Sequence, residues 1–213
     1  MLIIPERKTV LILNPRTGTN YLKTAVRDRY PQAFMPYRHM EADGIPFGYQ
    51  YYKIIGVFRS PLERLWSLYK YLKFYDLDNC AEYKRAYMAR CKESAQRPFN
   101  TWLCKNTLPV ATPYGSAHDY HPQSAVKHLI SENRKSQWVY LRPDLGTLIV
   151  PYTRFGELLQ WLDVPDARTH QTPTKKMPKL TQATRDNLDI WLAWDFRYDR
   201  DLQKHGDQFC WEF

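Results

Sequence analysis

Only four cysteines occur among the 213 residues (Cys80, Cys91, Cys104 and Cys210), with no Cys-x-x-Cys pair and no histidine at metal-ligand spacing. A zinc ribbon and a dithiol redox motif are therefore excluded, and free, partly buried thiols are expected; nothing in the spacing demands a Cys80–Cys104 disulfide. No apolar run reaches the roughly 18 residues that a membrane helix requires. The first eight residues hold a proline, a glutamate and two bases before any expected strand, not the basic-then-apolar layout of a signal peptide. With neither signal nor span, a cytoplasmic location is expected. Internal repeats are absent. So is Gly-x4-Gly-Lys-Ser/Thr, which leaves no obvious magnesium ligand and argues against ATP or GTP hydrolysis.

What the chain does have is apolar and basic. Hydrophobic residues make up 44% and aromatics 15%, enough for a folded α/β domain rather than a disordered tail. The net charge of +9 calls for an anionic partner. Nucleic acid, an acidic glycan and a charged nucleotide meet that demand equally, as does a basic surface with no binding role. The length suits one domain over residues 1–213, with a helical and looped insertion at 76–121 over the active face.

Strand and helix patterns alternate along the chain. Thr9–Leu13 reads as a buried parallel strand, followed by a helix over Thr19–Arg29 that Pro31 stops. A short strand is predicted at Ala33–Met35 and a longer one at Lys53–Phe58. Ser60 then caps a helix with Pro61 in its first turn, and Leu62, Leu65, Leu68, Tyr69 and Leu72 form its apolar stripe. Weak helices follow at 81–92 and 98–105, a loop at 112–116 and a helix at 122–131. Strands are predicted at Trp138–Leu141 and Leu148–Val150, joined by a turn at 143–146. A helix over 154–162, a Pro/Thr/Lys loop over 165–179 and a long helix over 181–204 complete the pattern. Such alternation predicts an α/β three-layer sandwich with a mostly parallel central sheet.

Two segments carry chemistry. Asn14-Pro15-Arg16-Thr17-Gly18-Thr19-Asn20-Tyr21 joins a strand to a helix, where inward N–H groups and the helix N-terminus favour an anion. Arg16 adds planar, permanently charged donors. Arg59 ends the next strand, and Ser67 lies seven residues beyond Ser60, close to two helical turns. Arg59 and Ser67 could share one phosphate; equally, Arg59 could pair with Glu63 and Ser67 could be a small packing residue. Two such turns on one sheet edge would hold a ligand with phosphate-like groups at both ends.

Pro15 to Tyr21 resembles the 5′-phosphosulfate loop of sulfotransferases that use 3′-phosphoadenosine 5′-phosphosulfate (PAPS). Phe58-Arg59-Ser60-Pro61-Leu62-Glu63-Arg64-Leu65-Trp66-Ser67-Leu68-Tyr69 resembles their 3′-phosphate motif, Arg-x7-Ser followed by an aromatic. The likeness is nearest to the carbohydrate and membrane-associated branch and its bacterial and viral relatives. It extends to Tyr37-Arg38-His39, His121-Pro122-Gln123, Tyr152–Asp163 and Trp194-Asp195-Phe196, and is thinnest over residues 76–118.

The resemblance implies a P-loop-like sulfotransferase fold that binds PAPS, releases PAP and needs no metal. It places Arg16 beside the bridging oxygen of the donor, Thr17, Gly18 and Thr19 around the 5′-phosphosulfate, and Tyr21 against adenine. Asn20 departs from the family's Thr or Ser. Arg59 and Ser67 would bind the 3′-phosphate, and Lys175 and Lys176 resemble a loop that covers the donor. His39 is the expected general base, Glu41 its alternative, with His118 and His121 ranked below. An exposed loop histidine is the bland reading of His39. The acceptor is expected to be a hydroxyl, with a glycan first. Aromatics and bases interleave between Tyr75 and Tyr114, which suits an acidic sugar, single-stranded nucleic acid or a solvated helical face. The competing functions are a nucleotide-dependent kinase of similar core, a basic nucleic-acid-binding module, and a sulfotransferase-like fold that only binds its ligand.

Overall fold

Successive residues of each strand alternate between two apolar clusters, one on either face of a four-stranded sheet. In this computed structural model, which describes residues 1–36, 39–104, 136–166 and 176–205, the strands are β1 (Leu2–Ile4), β2 (Thr9–Ile12), β3 (Lys53–Phe58) and β4 (Leu148–Pro151). Their order is β1-β2-β3-β4, with β1 antiparallel to β2 and the other two pairings parallel. The chain is thus α/β with a small, mostly parallel sheet.

The described residues form two compact units. The first comprises residues 1–36, 39–60, 137–166 and 197–205; the second comprises 61–104, 136 and 176–196.

In the first unit, Leu2, Ile4, Leu11, Leu13, Ile55, Val57 and Val150 face one side of the sheet. There they meet Leu22, Ala25 and Val26 of α1 (Thr19–Arg29). Met1, Ile3, Val10, Ile12, Phe58 and Ile149 face the other side. Burial on both faces is what makes the strand sequences continuous apolar runs instead of alternating ones. Each fully buried Leu, Ile or Val stabilises the unit by about 1.5–3 kcal/mol. A parallel β2–β3 pair needs a long crossover, and α1 with the loop after it supplies one.

The second unit is helical: α2 (Pro61–Lys73), α3 (Glu82–Ser94), α4 (Phe99–Cys104), part of the later helices, and a core of Leu65, Leu68, Tyr69, Met88, Phe99, Trp102, Leu188 and Leu192. Arg64 and Asp195 are both fully buried there, with 4.0 Å between their nearest charged atoms. The hydroxyl of Ser136 also donates to the Asp195 carboxylate. Cys80, Cys91 and Cys104 form no disulfide with one another.

Several expectations need correction. Trp138–Leu141 is not a strand but part of helix α5 (Gln137–Leu141). Gln137, Tyr140 and Leu141 are the buried positions, the i, i+3, i+4 spacing of a helix, and the short run concealed it because its first inward residue is polar. The predicted strand at Ala33–Met35 reduces to one bridge, in which Phe34 and Ile3 exchange backbone hydrogen bonds of 2.9 and 3.0 Å. Conversely, the segment before Lys8, expected to hold no strand, supplies β1 at Leu2–Ile4. After α6 (Phe155–Trp161), the predicted final helix is two: α7 (Gln182–Trp191) and α8 (Ala193–His205), interrupted where Leu192 leaves helical geometry at φ −123°. The loop expected at 112–116, the helix at 122–131, His118 and His121 lie outside the described residues.

Candidate functional site

β2 and β3 run parallel, with Ile12 opposite Gly56, so their C-terminal ends share one edge of the sheet. An arginine follows each strand within a few residues.

After β2 the chain turns tightly. The Thr17 hydroxyl donates to the Asn14 carbonyl at 2.7 Å, closing the turn from inside, and Thr17 is buried. Arg16 and Gly18 both take the left-handed conformation, at φ 69° and 82°. Glycine adopts it without steric penalty; an arginine pays about 1–2 kcal/mol. Gly18 then serves as the N-cap of α1, its carbonyl accepting from the Leu22 N–H at 3.0 Å. The N–H groups of the first helical turn point out of the helix end. No carboxylate stands in that turn, while Arg27 and Arg29 sit in the last one, so the positive end of the helix dipole is not neutralised by sequence.

The second turn is tied to the first. One guanidinium nitrogen of Arg59 donates to the Arg16 carbonyl at 3.2 Å, and the guanidinium carbon lies 4.5 Å from the centre of the Tyr152 ring. Stacking and hydrogen bonding together hold this charge beside the Arg16 turn. Ser60 is not part of α2; its hydroxyl donates to the Asp199 carboxylate at 3.2 Å.

His39 is 5% exposed, so it is a buried side chain and not an exposed loop histidine. Its Nδ1 is hydrogen-bonded to the carbonyl of Leu13, the residue that leads out of β2. A carbonyl only accepts, so Nδ1 carries the proton, and in the neutral ring Nε2 is the lone-pair nitrogen. Glu41 is also buried, and its charge acts on the Met1 α-amino group. Burial pushes that amine down to about 5, and Glu41 opposes the shift.

Arg16, Thr17, Gly18, Thr19, Arg59 and His39 thus come from the two turns and the Leu13 contact of the first unit. Asn20 is exposed on α1, and the Tyr21 hydroxyl donates to the Pro165 carbonyl. Ser67 belongs to the second unit, where it is buried on α2, and Lys176 is exposed in the same unit. Tyr37, Arg38 and Lys175 lie outside the described residues.

Sequence reasoning passed over Gln137, Tyr152 and Phe155 as site residues. Gln137 is fully buried. Its Oε1 accepts from the Arg59 N–H at 3.0 Å and from the Asn14 amide at 2.9 Å, while its Nε2 donates to the Arg59 carbonyl at 2.7 Å. A signal existed only in the burial pattern, because a glutamine seventy-eight positions away in sequence carries no local mark. Among the described residues no group of three or more His, Cys, Asp or Glu side chains is placed to hold a metal ion.

Chemically, this edge offers backbone N–H groups, a helix N-terminus and two guanidinium-bearing residues to an anion, with a histidine close behind. Comparison with protein-family models, with curated proteins and with solved structures gives no match to the chain.

Proposed function

We propose that the chain is a sulfotransferase that binds PAPS and moves its sulfuryl group to an acceptor hydroxyl, with PAP as the nucleotide product. The observation that carries this reading is the joining of the two arginine turns. Arg59 reaches the carbonyl of Arg16 at the end of a parallel strand pair, beside an α1 N-terminus that has no carboxylate in its first turn. A ligand with anionic groups at both ends suits two cationic turns better than one. The P-loop-like sulfotransferase fold belongs to the same proposal.

When bound, PAPS supplies the sulfuryl group and the leaving phosphate. In this reading the N–H groups of Gly18 and Thr19 hold the 5′-phosphosulfate, and the Arg16 guanidinium neutralises charge that develops on the bridging oxygen as the sulfur–oxygen bond breaks. Arg59 holds the 3′-phosphate. The proton of the acceptor hydroxyl passes to Nε2 of His39, whose tautomer is set by the Leu13 carbonyl. Glu41 remains the second candidate for that proton. The resemblance alone assigns Ser67, Lys175 and Lys176 to the donor, and a glycan hydroxyl to the acceptor.

Calorimetric titration with PAP, without magnesium and with ATP and AMP as controls, tests the reading. Tight PAP binding is expected, and Arg59→Ala should weaken it about 10- to 100-fold, the value of one or two charge-assisted hydrogen bonds. A folded protein that ignores PAP removes the donor assignment. Tight binding that survives Arg59→Ala removes the 3′-phosphate site.

A further inference from the structure

From the hydrogen bonds that converge on Gln137 we infer that this glutamine is the positioning residue of the site, setting the Arg59 turn against the Asn14–Gly18 turn. It grips the Arg59 backbone from both sides. Oε1 takes the N–H at 3.0 Å, and Nε2 gives to the carbonyl at 2.7 Å. The same Oε1 takes the Asn14 amide at 2.9 Å, and that amide also donates to the Val57 carbonyl at 3.4 Å. Two acceptors on Asn14 Nδ2, and a donor and an acceptor on Gln137, fix both amide orientations without ambiguity.

The consequence is geometric. Arg59 stands where β3 has ended, so its backbone groups no longer belong to the sheet ladder, and a buried polar group there must find a partner elsewhere. Gln137 supplies both partners from α5. With the Arg59 backbone fixed, its side chain reaches the Arg16 carbonyl and the Tyr152 ring from a set origin. The link through Asn14 fixes the start of the other turn from the same side chain. A single buried amide thus holds two anion-facing turns at a set separation. Preorganisation of this kind improves affinity by removing the ordering cost that a ligand would otherwise meet. Its bearing on PAP rests on the donor reading; the hold on Arg59 does not.

The test uses Gln137→Met, which preserves volume and removes every bond, and Gln137→Glu, which keeps the acceptor and loses the donor. Amide hydrogen exchange and the order of the Arg59 guanidinium are read by NMR on the full chain, and PAP affinity by calorimetry. In Gln137→Met the Arg59 amide should exchange at least about tenfold faster while Leu11 and Ile55 keep their protection. PAP affinity should fall about tenfold, and in an Arg59→Ala background the same substitution should cost distinctly less, the remainder being what the Asn14 link contributes. Gln137→Glu should retain the Arg59 amide protection and show the smaller affinity loss. Unchanged exchange at Arg59, equal affinity losses in both backgrounds, or unfolding of both variants would each overturn the inference. Should the unaltered chain bind no PAP, the donor reading fails by itself, and the exchange and guanidinium measurements still decide the role of Gln137.

Discussion

The ring of Phe155 occupies the space that a β-carbon on Gly18 would need: an ideal Cβ would lie 2.7 Å from Cζ and 2.9 Å from Cε2. Phe155 is itself fully buried on α6, so it cannot swing into solvent. Gly18→Ala therefore meets two penalties, a left-handed φ of 82° and a clash with a packed ring. A loss of about 2–4 kcal/mol is expected by urea denaturation. Combining Gly18→Ala with Phe155→Leu should give less than the sum of the two separate losses, and strictly additive losses would show the ring to be irrelevant.

His39→Asn separates the chemistry of His39 from its packing. The asparagine amide can still donate to the Leu13 carbonyl, where His39 Nδ1 now sits, but it cannot accept a proton. PAP affinity should change by less than about threefold, while turnover of any identified acceptor should fall by 10²–10⁴, the usual weight of a general base. Retained turnover, with Glu41→Gln inactive, would move the base to Glu41.

Gly56 is a test of packing without chemistry. A β-carbon there would lie 2.3 Å from Cδ2 of Leu141 on α5, so the helix sits closer to β3 than any other residue would allow. Gly56→Ala should cost about 1–3 kcal/mol, or roughly 3–10 °C in Tm. Combining it with Leu141→Ala should give less than the sum of the two losses. Additive losses would mean that Leu141 does not take up the strain.

Acid should release two carboxylates. Hydrogen bonds from Arg142 hold Asp144 below the ordinary carboxylate range, and those from Arg154 do the same for Glu157. Each contribution is complete above the unfolded carboxylate pKa and disappears as pH falls through the lower folded value. Arg154→Gln should therefore lower the urea midpoint at pH 7, and the gap to the parent should close as pH falls through the folded pKa of Glu157. A gap that persists at low pH would assign the effect to packing of the arginine stem.

Legibility of the fold tracked punctuation. α1 was readable to both ends because Gly18 and Pro31 bracket it, and β3 because an unbroken apolar run ends at Arg59-Ser60-Pro61. α5 reads as a strand because a run of Trp, Val, Tyr and Leu satisfies strand and helix alike, and only the burial of Gln137 breaks the tie. The break at Leu192 has neither proline nor glycine to announce it. In the site, Arg16, Gly18 and Arg59 can be read as turn residues because they follow the β2 and β3 runs, whereas His39 is singled out only by the family resemblance, and its burial against Leu13 leaves no mark in the sequence. Gln137 is not legible either, because its role comes from partners 78 and 123 positions away. A long-range brace leaves no spacing to read.

Arg16 is an uneconomical choice for its own backbone. At φ 69°, glycine or asparagine would sit more comfortably, and a chain selected for thermal robustness alone would drift toward one of them. Directed evolution for stability, run without any selection for ligand, should therefore erase this arginine early. The residue that such an experiment discards first would mark what the turn is for.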